Sequence, residues 1–362
     1  MISRRTATGR ETATGQGVDF GARMLIVRLG PASLRIHARG AAVTGALFLV
    51  VLAVSLLALA LGDLPLTLAE VLSALTGGQD GIAATVVLDW RLPRVLAAVL
   101  FGAAMGASGA VFQSLTRNPL ASPDIVGMQA GSYAGGIAAI ILLGGGFLIT
   151  AAGALTGGVL TAVAVYALAY RRGLLGFRLI VVGIGMNAML IALGSYLMLR
   201  ARREVAMSAA VWGAGSLNPV GWTQFLPAAA VIVVALLPLA WLAASQRQLE
   251  LGDDAARALG VRVEAARLGL IACAVVLTAI TTAAAGPIAF VSLAAPQIAR
   301  RLAGSAGVAL GPAAALGALL LVASDVVAQH VLPVPLPVGV VTVMLGGGYL
   351  IWILIREARR RR

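Results

Sequence analysis

The chain of 362 residues is 60% hydrophobic and only 11% charged, with a mean hydropathy of +0.97 and a net charge of +13. So few charges could not cover the outside of a water-soluble protein of this length, which excludes a soluble globular domain and points to a bilayer. All 27 basic residues are arginine; without lysine there is no GxxxxGK loop, so ATP is not bound through a P-loop of this chain's own.

Residues 1–40 are polar, rich in Arg, Thr and Gly and without apolar periodicity, and read as a disordered cytoplasmic tail. The first apolar run begins too late and runs too long for a signal peptide. A helix needs about 20 apolar residues to cross the hydrocarbon core. On that rule residues 41–357 form one transmembrane domain of ten spans: 41–61, 94–115, 124–143, 148–169, 179–199, 225–245, 266–285, 288–302, 307–330 and 337–356. The longest uncharged stretches are split at Gly144–Gly146, Trp212–Gln224, Gly286-Pro287 and Pro333–Pro337. Residues 358–362 are a basic C-terminal tail. The fold class is an all-α polytopic membrane protein.

With both termini cytoplasmic, 22 arginines fall on inner segments and 5 on outer ones, as the positive-inside rule requires. The positive charge is therefore a topology signal and a contact with anionic lipid, not a nucleic-acid footprint. Arg200, Arg202 and Arg203 form an outer cluster that runs against the rule.

The second span carries Arg91 and Arg94 at its outer end and a small face, Gly102-xxx-Gly106-xxx-Ala110, that lets two backbones approach closely in lipid. An Asn118-Pro-Leu-Ala121 turn leads from it into the third span. Asn187, on the fifth span, reads as an interhelical hydrogen-bonding residue. The inner loop 246–267 is charged, with Asp253-Asp254 at a helix start and Leu259-Gly260 at its end. Composition leaves two readings of it: a solvated connector, or short helices that offer a docking knob to a soluble partner. Asp325, near the outer end of the ninth span, is read as capping or as pairing with an outer arginine. Cys273, His37 and His330 are isolated, so no metal or nucleophile–base constellation of an enzyme emerges. An ion-coupled carrier would need an acid within its path, for which the sequence offers only Asp325.

The chain resembles the FecCD-like family, the iron-siderophore and vitamin B12 class of ABC importer permeases. The matching pieces are Arg91-Leu-Pro-Arg94, Gly109-Ala-Val-Phe-Gln113, Asn118-Pro-Leu-Ala121 with Pro123 and Gly127, and Val182-Gly-Ile-Gly185. Further along come Trp212 with Gly215-Ser-Leu217, Ala258-Leu-Gly260, Gly286-Pro-Ile-Ala-Phe-Val291, Pro296 with Arg300, Ala323-Ser-Asp325 and Leu336-Pro-Val-Gly339. Their order along ten apolar spans carries the resemblance from about Ala41 to Ile355.

The resemblance implies a type II importer permease with a translocation path at a permease dimer interface. Its partners would be a second permease subunit, identical or not, two cytoplasmic ABC ATPase subunits that hydrolyse the ATP, and an extracytoplasmic substrate-binding protein. By similarity, Arg91 and Arg94 dock the binding protein, with snorkelling at the lipid interface as the alternative. Asp253, Asp254, Ala258, Leu259 and Gly260 couple to the ATPase. Asn118 and Leu120 close the cytoplasmic gate, and Leu175 and Gly176 fall where its other part lies, although their residue types differ. Met186, Asn187, Gly346 and Gly347 lie near the path. No cofactor or resident metal is implied: iron stays inside its chelator.

The chain departs from the family's frequent residues at Gln297, Gln329, Pro335 and Gly348. These departures fit a siderophore-type member, identical or unlike its partner permease, better than a vitamin B12 permease; a vitamin B12 or haem importer permease of the same family is the alternative.

Overall fold

The protein's structure, a computed structural model, describes residues 24–29, 32–78, 81–169, 176–305, 307 and 309–360. It opens with a two-stranded antiparallel ribbon, β1 (Met24–Leu29) and β2 (Ala32–His37), in register from Met24↔His37 to Leu29↔Ala32. Within the expected disordered tail over residues 1–40, residues 24–29 and 32–37 thus pair as strands. The segments MLIVRL and ASLRIH are apolar and branched enough to pair as strands, and helix α1 (Ala38–Ala60) follows without a break. Residues 1–23 lie outside the described residues.

The remaining described elements are helices. They are α2 (Leu68–Leu75), α3 (Ile82–Thr85), α4 (Leu92–Thr116), α5 (Met128–Leu143), α6 (Phe147–Ala169), α7 (Gly176–Arg200) and α8 (Arg203–Gly213). After them come α9 (Trp222–Leu249), α10 (Asp253–Ala258), α11 (Val263–Ala285), α12 (Val291–Ala303), α13 (Leu310–Val326) and α14 (Val338–Arg360). Short π-helical segments, Val86–Arg91 and Val327–Val331, lead into α4 and out of α13.

Ten of these helices coincide with the ten expected spans: α1, α4, α5, α6, α7, α9, α11, α12, α13 and α14. Four start later than the length rule predicts, α13 by three residues and α14 by one, and α5 and α12 because the backbone breaks before them. α5 begins at Met128 because residues 117–127 turn back on themselves, with Val126 N donating to Ser122 O at 3.0 Å and Met128 N to Pro123 O at 3.0 Å. α12 begins at Val291 because Gly286 (φ 73°) and Phe290 (φ 69°) both adopt left-handed backbone. Non-helical backbone at membrane depth is tolerated where protein covers it or where it lines a cavity, and both breaks do so below. The C-terminal tail is also shorter than expected, since α14 runs on to Arg360; residues 361–362 lie outside the described residues.

Small residues, not large apolar ones, fix the helix packing, since lipid tails are as apolar as leucine and give no hydrophobic reason for helices to associate. A side chain added at Gly102 would strike Gly317 O, and one added at Gly106 would strike Ala313 O, so α4 and α13 touch backbone to backbone. The expected small face is thus the α4–α13 seam. Within its most apolar window, the continuous helical run Ile82–Thr116 that ends in α4 is 78% buried, whereas Ala38–Ala60 is 11% buried. α4 is the central post, packed by α9, α11, α12 and α13, and α1 lies at the rim.

Candidate coupling site and transport cavity

At one end of the bundle, α9 passes through Glu250–Gly252 into the short α10. Gly252 (φ 116°) and Gly260 (φ 84°) bound α10 with backbone that side chains rarely adopt. Asp253 and Asp254 fill its first turn, where the helix dipole favours carboxylates. The two acids have different work. Asp253 is half-buried, and both its oxygens accept from Arg267 Nη2, at 2.9 and 3.0 Å. Asp254 is exposed and takes Arg257 Nη1 at 2.9 Å. Ala258, Leu259 and Gly260 are exposed, with Leu259 57% and the neighbouring Leu251 68% accessible. A small stub with two bare leucines therefore stands at this end.

This stub is fastened to the end of α4. Arg117 Nη2 donates to Leu249 O at 3.1 Å and lies 3.9 Å from Asp253 Oδ1. Ser114 Oγ donates to Glu250 Oε1 at 2.9 Å. Arg117 itself caps α4 in left-handed backbone (φ 50°), unusual for a residue with a side chain. The turn that follows is built by Asn118, whose Oδ1 accepts from Leu120 N at 2.9 Å. This turn leaves Leu120 half exposed. Gln297 on α12 donates to Pro119 O at 2.6 Å, and Gln113 donates to Leu293 O at 3.0 Å. Stub, turn and α12 thus form one hydrogen-bonded chain. Of the other expected gate residues, Gly176 opens α7, and Leu175 lies outside the described residues.

Above the turn, a cavity of about 580 Å³ lies between α5, α7, the end of α8, the 286–290 break and α14. Asn187 lines it, as do Asp124, Gln129 and Tyr133, against apolar Ile191, Val343 and Met344. The other path residues fall elsewhere. Met186 packs against the core, Gly346 is closed over by the Phe290 side chain, and Gly347 faces open space. Asp124 was not singled out from the sequence, where it is the first residue of the expected third span. Only the fold turns it inward, with Oδ2 accepting from Phe290 N at 3.2 Å.

At the opposite end, Arg94 grips Asp325 through both arms of its guanidinium, Nε to Oδ2 at 2.9 Å and Nη2 to Oδ1 at 2.7 Å. Arg91 donates to the carbonyls of Leu59 (2.8 Å), Ala60 (3.4 Å) and Leu64 (2.7 Å), which pins the loop after α1. Neither arginine presents the free fork that carboxylate recognition from outside would use. Gln329, one of the departures, donates to Leu336 O at 3.1 Å and closes the loop before α14.

The profile of the FecCD transport family matches residues 40–356. The chain is 50% identical to the ferric enterobactin transport system permease protein FepG of Escherichia coli over 83% of its own length and 91% of that protein. It is 36% identical to the iron(3+)-hydroxamate import system permease protein FhuG of Bacillus subtilis, over 85% and 95% respectively. Among solved structures, an inward-facing metal-chelate type ABC transporter superposes with a TM-score of 0.76 at 26% identity, covering 88% of this chain and 99% of that one.

Proposed function

The chain belongs to the FecCD transport family, and from that premise we propose that it is the permease subunit of an ATP-driven importer of ferric siderophores. It sits in the cell membrane with both termini cytoplasmic. A second permease subunit completes the path, two separate ATPase subunits hydrolyse ATP, and a binding protein delivers the chelate from outside. The relatives named for ferric enterobactin and ferric hydroxamate support the cargo class.

One observation supports the mechanism above others: the contacts that run from Leu249 and Asp253 through Arg117 into the Asn118–Leu120 turn and on to α12. ATPase closure pushes on the stub at Asp254–Gly260. The stub moves Arg117, and the turn swings with α12 to open or close the inner mouth. The cargo then leaves the cavity that Asn187 lines. On the outer side, Asp325 neutralises Arg94, whereas Arg91 is bonded to carbonyls alone and brings a positive charge to the Arg91–Arg94 docking surface. That charge acts on an acidic binding protein by long-range attraction, which sets orientation and on-rate more than affinity.

The ion-coupled rival changes its candidate. Arg94 occupies Asp325, and Asp124 is the acid such a carrier would use instead. ATP dependence decides between the two. Uptake of labelled ferric catecholate, ferric hydroxamate, haem and cobalamin is measured in a strain lacking this gene, with and without an active ATPase subunit. Restored ferric siderophore uptake that vanishes with the ATPase is the expected outcome. Uptake driven by a proton or sodium gradient alone would refute it.

A further inference from the structure

Three polar side-chain atoms at the inner bend of the α4–α5 connection have no hydrogen-bond partner although they are shielded from solvent: Ser122 Oγ, Asp124 Oδ1 and Gln129 Nε2. Buried polar groups are almost always paired, so each exception needs an explanation. Gln129 is 7% exposed and is the second residue of α5. Asp124 and Gln129 both line the 580 Å³ cavity. Ser122 stands beside the Asp124 carboxylate, but its hydroxyl is not in hydrogen-bonding position.

The pair offers complementary chemistry. Gln129 Nε2 is a donor in search of an acceptor, and Asp124 Oδ1 is an acceptor in search of a donor. No arginine or histidine lines the cavity among the described residues, so an anionic chelate is not trapped there by charge. An amide at the periphery of a chelate satisfies both: its C=O accepts from Gln129 and its N–H donates to Asp124. Meanwhile the second oxygen of Asp124 holds Phe290 N, the residue immediately before α12. One carboxylate therefore touches the cavity on one side and the head of the gate-linked helix on the other.

We propose that Asp124 and Gln129 form a contact station for amide-bearing chelates in the wall of the transport cavity, through which cargo acts on α12. The station rests on the ferric siderophore reading above. It gives the path a preference of its own, separate from that of the binding protein.

The test uses the complete transporter in proteoliposomes, with a ferric trihydroxamate and its analogue N-methylated at the peripheral amides. Asp124→Asn keeps a carbonyl oxygen for Phe290 N but turns an amine toward the cavity. Gln129→Leu removes the donor. Transport of each chelate is expressed as variant over wild type, which cancels the preference of the binding protein. Asp124→Asn is expected to slow the parent chelate about tenfold, the scale of one hydrogen bond, and to leave the N-methylated one almost unchanged. Gln129→Leu slows both. Equal effects of Asp124→Asn on the two chelates, or none, would overturn the station and leave Asp124 with α12 and Ser122 alone. If the wild-type complex transports neither chelate, the siderophore reading fails and the station with it.

Discussion

Arg94 and Asp325 meet side-on across the α4–α13 seam, 231 residues apart in sequence, with the arginine side chain 22% and the aspartate 8% exposed. The pair closes one end of a seam whose middle is glycine against backbone, where no side chain could reach across. Removing one partner leaves a shielded charge uncompensated. Asp325→Ala is therefore expected to cost about 3 kcal/mol, read as a lowered midpoint in thermal unfolding of the detergent-solubilised protein. The double variant Arg94→Met/Asp325→Leu should recover most of that loss, because a well-packed apolar pair replaces a buried ion pair at little cost. An Asp325→Ala protein as stable as wild type would show that the pair is ornamental.

Arg117 is expected to matter for transmission more than for folding. Arg117→Gly relieves its left-handed backbone, worth about 1 kcal/mol, while deleting the guanidinium that holds Leu249 and faces Asp253. The variant should fold and assemble, hydrolyse ATP, and import cargo at least tenfold more slowly. The ratio of cargo moved to ATP consumed in proteoliposomes measures this, and an unchanged ratio counts against the linkage.

The seam makes a sharp contrast between glycines. Gly106→Leu would drive a side chain into Ala313 O and should abolish recovery of folded protein, whereas Gly347→Ala, with nothing within 4 Å, should be recovered like wild type. Size-exclusion profiles after solubilisation separate the two. Normal yield of Gly106→Leu would mean that α4 and α13 are held apart by something other than contact.

Leu259→Asp changes an exposed side chain of the stub and touches nothing in the core. Thermal stability of the isolated permease should stay within about 0.5 kcal/mol of wild type, while co-purification of the ATPase subunits falls sharply. Retention of the ATPases at wild-type yield would remove Leu259 from the coupling surface.

Much of the architecture was legible because the bilayer imposes one rule, length of apolar chain, on every span. The Gly102 and Gly106 spacing gave away the α4–α13 seam for the same reason, since small residues four apart have few other uses in lipid. What the length rule misjudged were the breaks. Asp124 was counted as the first residue of the third span, because nothing local says that residues 117–127 fold under α12. Asp325 was expected to cap or to pair with an outer arginine, and Arg94 is that arginine, but the carbonyl partners of Arg91, Leu59 and Leu64, lie 32 and 27 residues away from it. Such pairings are written in topology, not in any window of sequence. The strands at Met24–His37 were missed for a simpler reason: two six-residue apolar runs were diluted by the polar residues before them.

Because Arg117 joins α10 to the inner turn without a slack loop between them, influence cannot flow in one direction only. Whatever factor nucleotide applies to the openness of the mouth, openness of the mouth must return to nucleotide affinity, by thermodynamic reciprocity. A permease jammed shut should thus be visible from the far side of the membrane protein, as ATPase partners that bind ATP with altered strength before any cargo has moved.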